Sequence, residues 1–355
     1  MADLKEMLET LVERGGSDLH LTAGSRPRIR VDGELVDTEF DVLQPKELQK
    51  LIYSVLDSEQ ISTFEENLEA DLSFGISELG RFRTNVFRQR GAIGAVMRLI
   101  PNDIRSFDEL GLPADVCRNL CSKPRGLILV TGATGSGKST TLASMIDYVN
   151  RRQQGHIMTI EDPIEYVHQH KKCLVNQREI GSDTHGFDQA LRSVLRQDPD
   201  YVLIGEMRDQ ETIEAALTIA ETGHLTFGTL HTSTAVQTIN RLIDVFPSHQ
   251  QSQIRTQLSF VLEGVFCQQL LRRKNKRGRE LAAEVMLRND AVQSLIREDK
   301  AHQIYSVIQT SGQLGMNTMN ASLCDLYLDG KIEYQTALSR SDKPEELERM
   351  IEREE

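Results

Sequence analysis

Long hydrophobic runs are missing from this sequence. No apolar stretch in its 355 residues approaches the roughly 20 that cross a bilayer. The opening Met1-Ala2-Asp3-Leu4-Lys5-Glu6 lacks the charged-then-apolar layout of a signal peptide, so a cytoplasmic protein with no transmembrane segment is expected. Cysteine is scarce, and Cys117, Cys121, Cys173, Cys267 and Cys324 form no C-x-x-C pair. Neither a zinc site nor a disulfide framework is indicated, and reduced thiols in a core are expected. An excess of positive charge is missing too. The 41 Lys and Arg against 53 Asp and Glu leave a formal charge of −12, which argues against a surface built for phosphate backbones and against a nucleic-acid partner. One conspicuous basic cluster, Leu271-Arg272-Arg273-Lys274-Asn275-Lys276-Arg277-Gly278-Arg279, reads as a solvated hairpin or loop. Contact with anionic lipid or an acidic partner is the alternative. Internal repeats and low-complexity tracts are also lacking. What remains is an ordinary soluble composition, 39% hydrophobic and 26% charged, long enough for two or three domains.

The spacing of Leu4, Met7, Leu8, Leu11 and Val12 predicts a helix that stops at Gly15-Gly16. Alternating segments at 18–21, 28–31 and 34–36 predict short strands, with Asp32-Gly33 as a hairpin turn. Residues 70–74, 80–87 and 91–100 predict three antiparallel strands. Pro101 ends that pattern, which gives a mixed α/β domain at 1–100, a linker at 101–113 and a second domain at 114–355. In the second domain, apolar runs at 127–130, 157–160, 201–204 and 226–230 predict strands, and 210–221 and 234–242 predict helices. Such alternation implies a parallel sheet with sites at the strand ends. From about 250 onward the pattern reads as largely helical, ending in a charged helix at 344–355.

The strand at 127–130 runs into Gly132-Ala133-Thr134-Gly135-Ser136-Gly137-Lys138-Ser139-Thr140. Strand, glycine-rich turn and helix start make a phosphate-binding loop. Three glycines let successive N–H groups curl inward around an anion, and the following helix adds its positive end. Lys138 supplies a mobile cation for β- and γ-phosphates, and Ser139 a hydroxyl suited to Mg²⁺.

Thr159-Ile160-Glu161-Asp162-Pro163-Ile164-Glu165 sets three carboxylates at a strand end. Hydrolysis needs a water aimed at the γ-phosphate and partly deprotonated, a task that Glu161 or Glu165 could perform. Tyr201-Val202-Leu203-Ile204-Gly205-Glu206 is a second apolar strand ending in an acid, the layout of a Walker B element that joins Ser139 in supporting Mg²⁺. Asp209 reads as the cap of the next helix. His224 and His231 flank a strand; seven residues apart, they would face opposite sides and not share a metal.

Taken in chain order, the glycine loop, the 161–165 acids, Gly205-Glu206-Met207-Arg208-Asp209 and the 223–231 histidine segment resemble the Walker A, Asp box, Walker B and His box of the secretion ATPase superfamily. Within it the chain is most similar to the type IV pilus retraction branch. Ser17-Asp18-Leu19-His20-Leu21-Thr22-Ala23-Gly24 and Arg30-Val31-Asp32-Gly33 resemble that family's PAS-like domain, and Gly315-Met316-Asn317-Thr318-Met319-Asn320 its C-terminal region. The tetracysteine zinc motif of the assembly-type and type II secretion ATPases is lacking.

The resemblance implies an α/β fold, with an N-terminal PAS-like α+β domain and a C-terminal RecA-like P-loop ATPase domain whose last part is helical. It implies a homohexamer that binds ATP and Mg²⁺ between domains of one subunit and its neighbour. Arginines would then reach the γ-phosphate, the candidates being Arg83, Arg98 and Arg241. His231 would touch the γ-phosphate, and Glu165 or Glu161 would orient the water. The implied output is pilus retraction by a motor lying at the inner face of the inner membrane, against a pilus platform protein. A paralogous pilus or secretion ATPase, or a nucleotide-dependent scaffold without useful turnover, are the alternatives. The branch is associated with an Ala-Ile-Arg-Asn-Leu-Ile-type helix, where this chain reads Ala291-Val292-Gln293-Ser294-Leu295-Ile296-Arg297.

Overall fold

The structure is a computed structural model that describes residues 3–354 other than 32, 78, 101, 102 and 275–277. Asp32 of the expected turn, Pro101 and Asn102 of the expected linker, Asn275-Lys276-Arg277 of the basic cluster and Glu355 of the terminal helix therefore lie outside the described residues. The chain divides into two compact units, Met1–Asp103 with Glu165–Val167, and Ile104–Ile164 with His168–Glu355.

In the first unit, helix α1 (Leu4–Glu13) buries Leu4, Met7, Leu8 and Leu11, the stripe its spacing predicts. Strands β1 (Asp18–Thr22), β2 (Arg28–Val31) and β3 (Glu34–Asp37) precede helices α2 (Pro45–Tyr53) and α3 (Ser58–Asn67). Strands β4 (Glu69–Ile76), β5 (Gly80–Gln89) and β6 (Ala92–Ile100) complete an antiparallel sheet of order β3-β2-β1-β6-β5-β4. The two helices have clear start signals. Pro45 stands in the first turn of α2 beside a Gln44/Glu47 capping box, and the Asp57 side chain accepts the Glu59 and Gln60 N–H groups of α3.

The second unit opens with α4 (Phe107–Leu110) and α5 (Ala114–Cys121). Residues 104–113, expected as linker, are thus partly folded. Ser106 and Glu109 form a capping box, Phe107 and Leu112 are buried, and the Phe107 ring lies 5.4 Å from that of Tyr148. Then follow β7 (Gly126–Thr131), α6 (Lys138–Arg152), β8 (His156–Glu161), β9 (Leu174–Glu179), α7 (Phe187–Val194), β10 (Tyr201–Ile204), α8 (Gln210–Glu221), β11 (Leu225–Leu230), α9 (Ala235–Asp244) and α10 (Ser248–Val261). The sheet order is β13-β12-β7-β11-β10-β8-β9, with β12 (Leu262–Arg272) and β13 (Arg279–Leu287) joined as a hairpin. Every neighbouring pair is parallel except β12–β13. Leu127 and Leu129 of β7 face one core, Ile128 and Val130 the other, as a strand covered on both faces requires.

The β12–β13 hairpin corrects the expectation that the chain from about 250 is largely helical. Residues 262–271 are almost all buried, polar Glu263 and Gln268 among them, so their apolar and polar positions show no alternation by which strand and helix can be told apart. Beyond the hairpin, α11 (Asp290–Arg297), α12 (Ile304–Thr310), α13 (Met319–Leu328), α14 (Tyr334–Arg340) and α15 (Pro344–Glu354) restore the helical reading. Residues of α13 to α15 close over Leu271 and Ala282 in a cluster of their own. All five cysteines are free and buried, and burial pushes the Cys117 thiol up to about 12. Among the described residues no helix is long and apolar enough to cross a membrane.

Candidate functional site

The loop between β7 and α6 is shaped by its glycines. Gly132, Gly135 and Gly137 all have positive φ, at 139°, 79° and 93°. A Cβ on Gly132 would collide with the Gln268 carbonyl oxygen and the Ser136 hydroxyl. Gly137 is the helix N-cap and brings no side chain to the orphan N–H groups of the first turn. Ala133, Thr134 and Gly135 are exposed, whereas Ser139 and Thr140 are half-buried. The Lys138 ammonium donates to the Gly132 and Ala133 carbonyls at 2.8 and 3.2 Å, folding back over the cradle. The Ser136 hydroxyl is buried with no hydrogen-bond partner among the described residues. An orphaned donor, first-turn N–H groups and a cation in one concave turn fit a phosphate chain.

Two strands across the sheet, Glu206 follows β10. One of its oxygens takes Arg208 Nε at 2.5 Å and His231 Nε2 at 2.7 Å. Partial burial would raise the Glu206 carboxyl, but bonding and charge from Arg208, joined by His231, outweigh it and hold it below the ordinary carboxylate range. His231 is the first residue past β11, at the same sheet edge, while His224 precedes β11 and bonds near Thr222 and Ile219. The two histidines are therefore kept apart by a strand's length. Backbone and hydroxyl bonds lock the pair's supports: Thr229 Oγ1 donates to the Gly205 carbonyl at 2.5 Å, and Met207 N to the Thr229 carbonyl at 3.0 Å. Arg241, on α9, donates to the Arg208 carbonyl at 3.2 Å, which brings it to the Glu206 segment. Asp209 caps α8 by accepting Thr212 N–H at 2.8 Å.

The acidic segment at 161–165 separates its two glutamates. Glu161, the last residue of β8, accepts Thr159 Oγ1 at 2.6 Å and Gln177 Nε2 at 3.1 Å. The Glu165 carboxylate is exposed and has no hydrogen bond or ion pair among the described residues. Its neighbours are fixed instead. The buried Glu179 accepts Ile164 N–H at 3.0 Å, and Gln177 accepts His168 N–H at 2.7 Å. Further on, the fully buried Asn150 of α6 holds the backbone of Gln169, Lys171 and Cys173. The helix that starts in the glycine loop thereby holds the 169–173 segment within the second unit.

Arg83 and Arg98 belong to the other unit, where they are register partners on β5 and β6. Both are exposed, and Arg98 Nε bonds the buried Asp18 at 2.7 Å. Sequence reasoning missed Arg208, Gln177, Glu179 and Asn150. For Arg208 the spacing from Glu206 was a usable signal, whereas the others act across 9 to 23 residues.

A glycine loop on an interior strand, an acid ending the strand two positions away and a histidine ending the strand between them define a P-loop ATPase of the secretion class. The chain belongs to the family of Type II/IV secretion system proteins, whose model matches residues 1–330. It is 50% identical to the type IV pilus "retractation" ATPase PilT of Pseudomonas aeruginosa, over 97% of this chain and 99% of that protein. It is 40% identical to the type IV pilus ATPase PilU of the same organism, over 98% of this chain and 91% of that protein. Its fold is similar to a crystal structure of the pilus retraction motor PilT with bound ADP, with a TM-score of 0.93, 51% identity and coverage of 99% and 100% of the two chains.

Proposed function

We propose that this chain is a cytoplasmic, Mg²⁺-dependent ATPase that powers type IV pilus retraction as a homohexamer at the inner face of the inner membrane. The observation that carries the reading is the pairing of Glu206 with His231 at the strand ends beside a glycine loop, in a chain half identical to a retraction ATPase along nearly its whole length. In this reading Gly132 to Thr140 bind the phosphates, and Lys138 leaves its loop carbonyls for the β- and γ-oxygens. Ser139 and Glu206 would hold Mg²⁺, which when bound supplies positive charge against the phosphate oxygens. Glu165 is the base of choice over Glu161, because an acceptor already engaged by Thr159 and Gln177 has less capacity for a water proton. His231, freed from Glu206, turns to the γ-phosphate. Arg83, Arg98 and Arg241 serve as charge stabilisers in the assembled ring, with the first unit as PAS-like partner and the platform protein as load.

Steady-state phosphate release is expected for the wild type and lost in Lys138→Ala. Equal release by the two would leave only the scaffold reading. Deleting the gene is expected to raise pilus number and abolish twitching. An unchanged phenotype would move the chain to the second reading, a paralogue that modulates retraction. That reading is favoured by Gln293, which replaces the basic residue of the branch's helix and donates to the Ser259 carbonyl at 3.0 Å.

A further inference from the structure

Arg272 and Arg279 of the basic cluster have no part in the reaction as described, yet the sheet carries both strand ends to the glycine loop. Strand β12 lies beside β7 and parallel to it, so its carboxyl end emerges next to Gly132. Alternate residues of a strand share a face. On that face Gln268 bonds the Thr141 hydroxyl of α6 at 2.9 and 3.1 Å, and Leu270 comes within 3.5 Å of where a Cβ on Gly137 would stand. The next residue on the same face is Arg272. Its register partner on β13 is Arg279, whose Nη1 lies 3.5 Å from the Gly135 carbonyl oxygen. The face therefore climbs from the first turn of α6 to the loop and ends in two exposed, register-paired arginines, of which Arg279 reaches the loop carbonyl. Arg273, one residue along on the other face, is instead paired with Glu280 at 2.6 Å.

Strand order gives these cations a direction. Glu206 and His231 end strands on one side of β7, and β12 lies on the other. A nucleotide whose γ-phosphate turns toward Glu206 and His231 presents its α-phosphate end to the hairpin. We propose that Arg272 and Arg279 bind the α- and β-phosphates of the nucleotide from the β12–β13 side, a clamp that does not distinguish ATP from ADP. The planar guanidinium fork suits phosphate oxygens, and pairing with the ligand explains why a chain of net charge −12 keeps two cations there that no acidic side chain pairs among the described residues. The inference rests on the nucleotide reading of the loop and extends it to a second wall.

The test is calorimetric titration of the full chain with ADP. Arg272→Ala and Arg279→Ala are each expected to weaken ADP by roughly tenfold, as a charge-assisted bond at a partly exposed site should. Arg279→Lys should fall between wild type and alanine. KM for ATP should rise in parallel, while turnover at saturation changes far less, and Arg349→Ala, an exposed charge on α15, should bind as wild type. ADP affinity within twofold of wild type in the double alanine variant would overturn the inference, even if that variant lost binding to phosphatidylglycerol vesicles. A wild type that bound no ADP would instead sink the nucleotide reading itself.

Discussion

The two acidic segments of the site hold their glutamates in opposite ways. Glu206 is fixed through its own carboxylate, which Arg208 and His231 both engage. Glu165 is fixed through its neighbours' backbone, with Glu179 on Ile164 N–H and Gln177 on His168 N–H, while its carboxylate faces solvent. The difference matches two kinds of chemistry. A group that holds charge in place gains from being paired in advance, because reorganisation is then already complete. A group that must take a proton from water needs a spare lone pair and a rigid mount.

The comparison breaks most sharply at Glu165 itself. Glu165→Gln keeps shape and exposure but removes the carboxylate proposed as the base, and on that proposal turnover is expected to fall by roughly 10²- to 10⁴-fold with ADP affinity unchanged. Phosphate release and ADP titration on one preparation read both quantities. A variant with turnover near wild type would return the base to Glu161 and end the contrast.

The mount comes next. Glu179→Leu removes the acceptor of Ile164 N–H from a buried position, and turnover at saturation is expected to fall by roughly 10- to 100-fold. Glu179→Gln keeps an oxygen for that N–H and should recover most of the loss. KM for ATP should move little in either, and an unfolding midpoint close to that of the wild type separates a displaced mount from a smaller folded fraction, which also leaves KM unchanged. If Gln and Leu were equally poor, the charge of Glu179 rather than its hydrogen bond would be the active property.

Much of this was legible in the chain before any coordinate. The glycine loop, the ends of β10 and the start of α1 follow from local pattern, and Glu206 from its position after an apolar strand, whereas His231 was singled out by the family resemblance. The mount was not legible. Its bonds come from β9, a half-exposed edge strand of sequence Leu-Val-Asn-Gln-Arg-Glu whose polar residues hide its period. The same limit applied to β12 and β13, where buried polar residues such as Glu263, Gln268 and Glu284 interrupt the apolar pattern and hide the strand period, and so Arg272 and Arg279 appeared only as a charged loop. Residues that act through long-range pairing leave no spacing to read.

The smallest expected effect concerns acid, and it separates the two segments by what titrates in each. His168, at the end of the Glu165 mount, is buried, and burial lowers its pKa to about 4. The nearby Asp147 opposes that shift and Lys171 adds to it. In the unfolded chain a histidine titrates near 6.5, so between these values the unfolded state binds a proton that the folded state refuses. The stability contribution is therefore complete above about pH 6.5 and is lost as pH falls toward 4. Between pH 7 and 5.5 the loss is about 1 kcal/mol. Glu206 is held low, so it stays ionised and paired across that interval. Acidification should then loosen the Glu165 side first. The drop in unfolding midpoint from pH 7 to 5.5 is expected to shrink in His168→Phe, whose ring cannot be protonated, and to persist in His231→Phe. An equal drop in all three proteins would mean that the acid-sensitive group lies in neither segment.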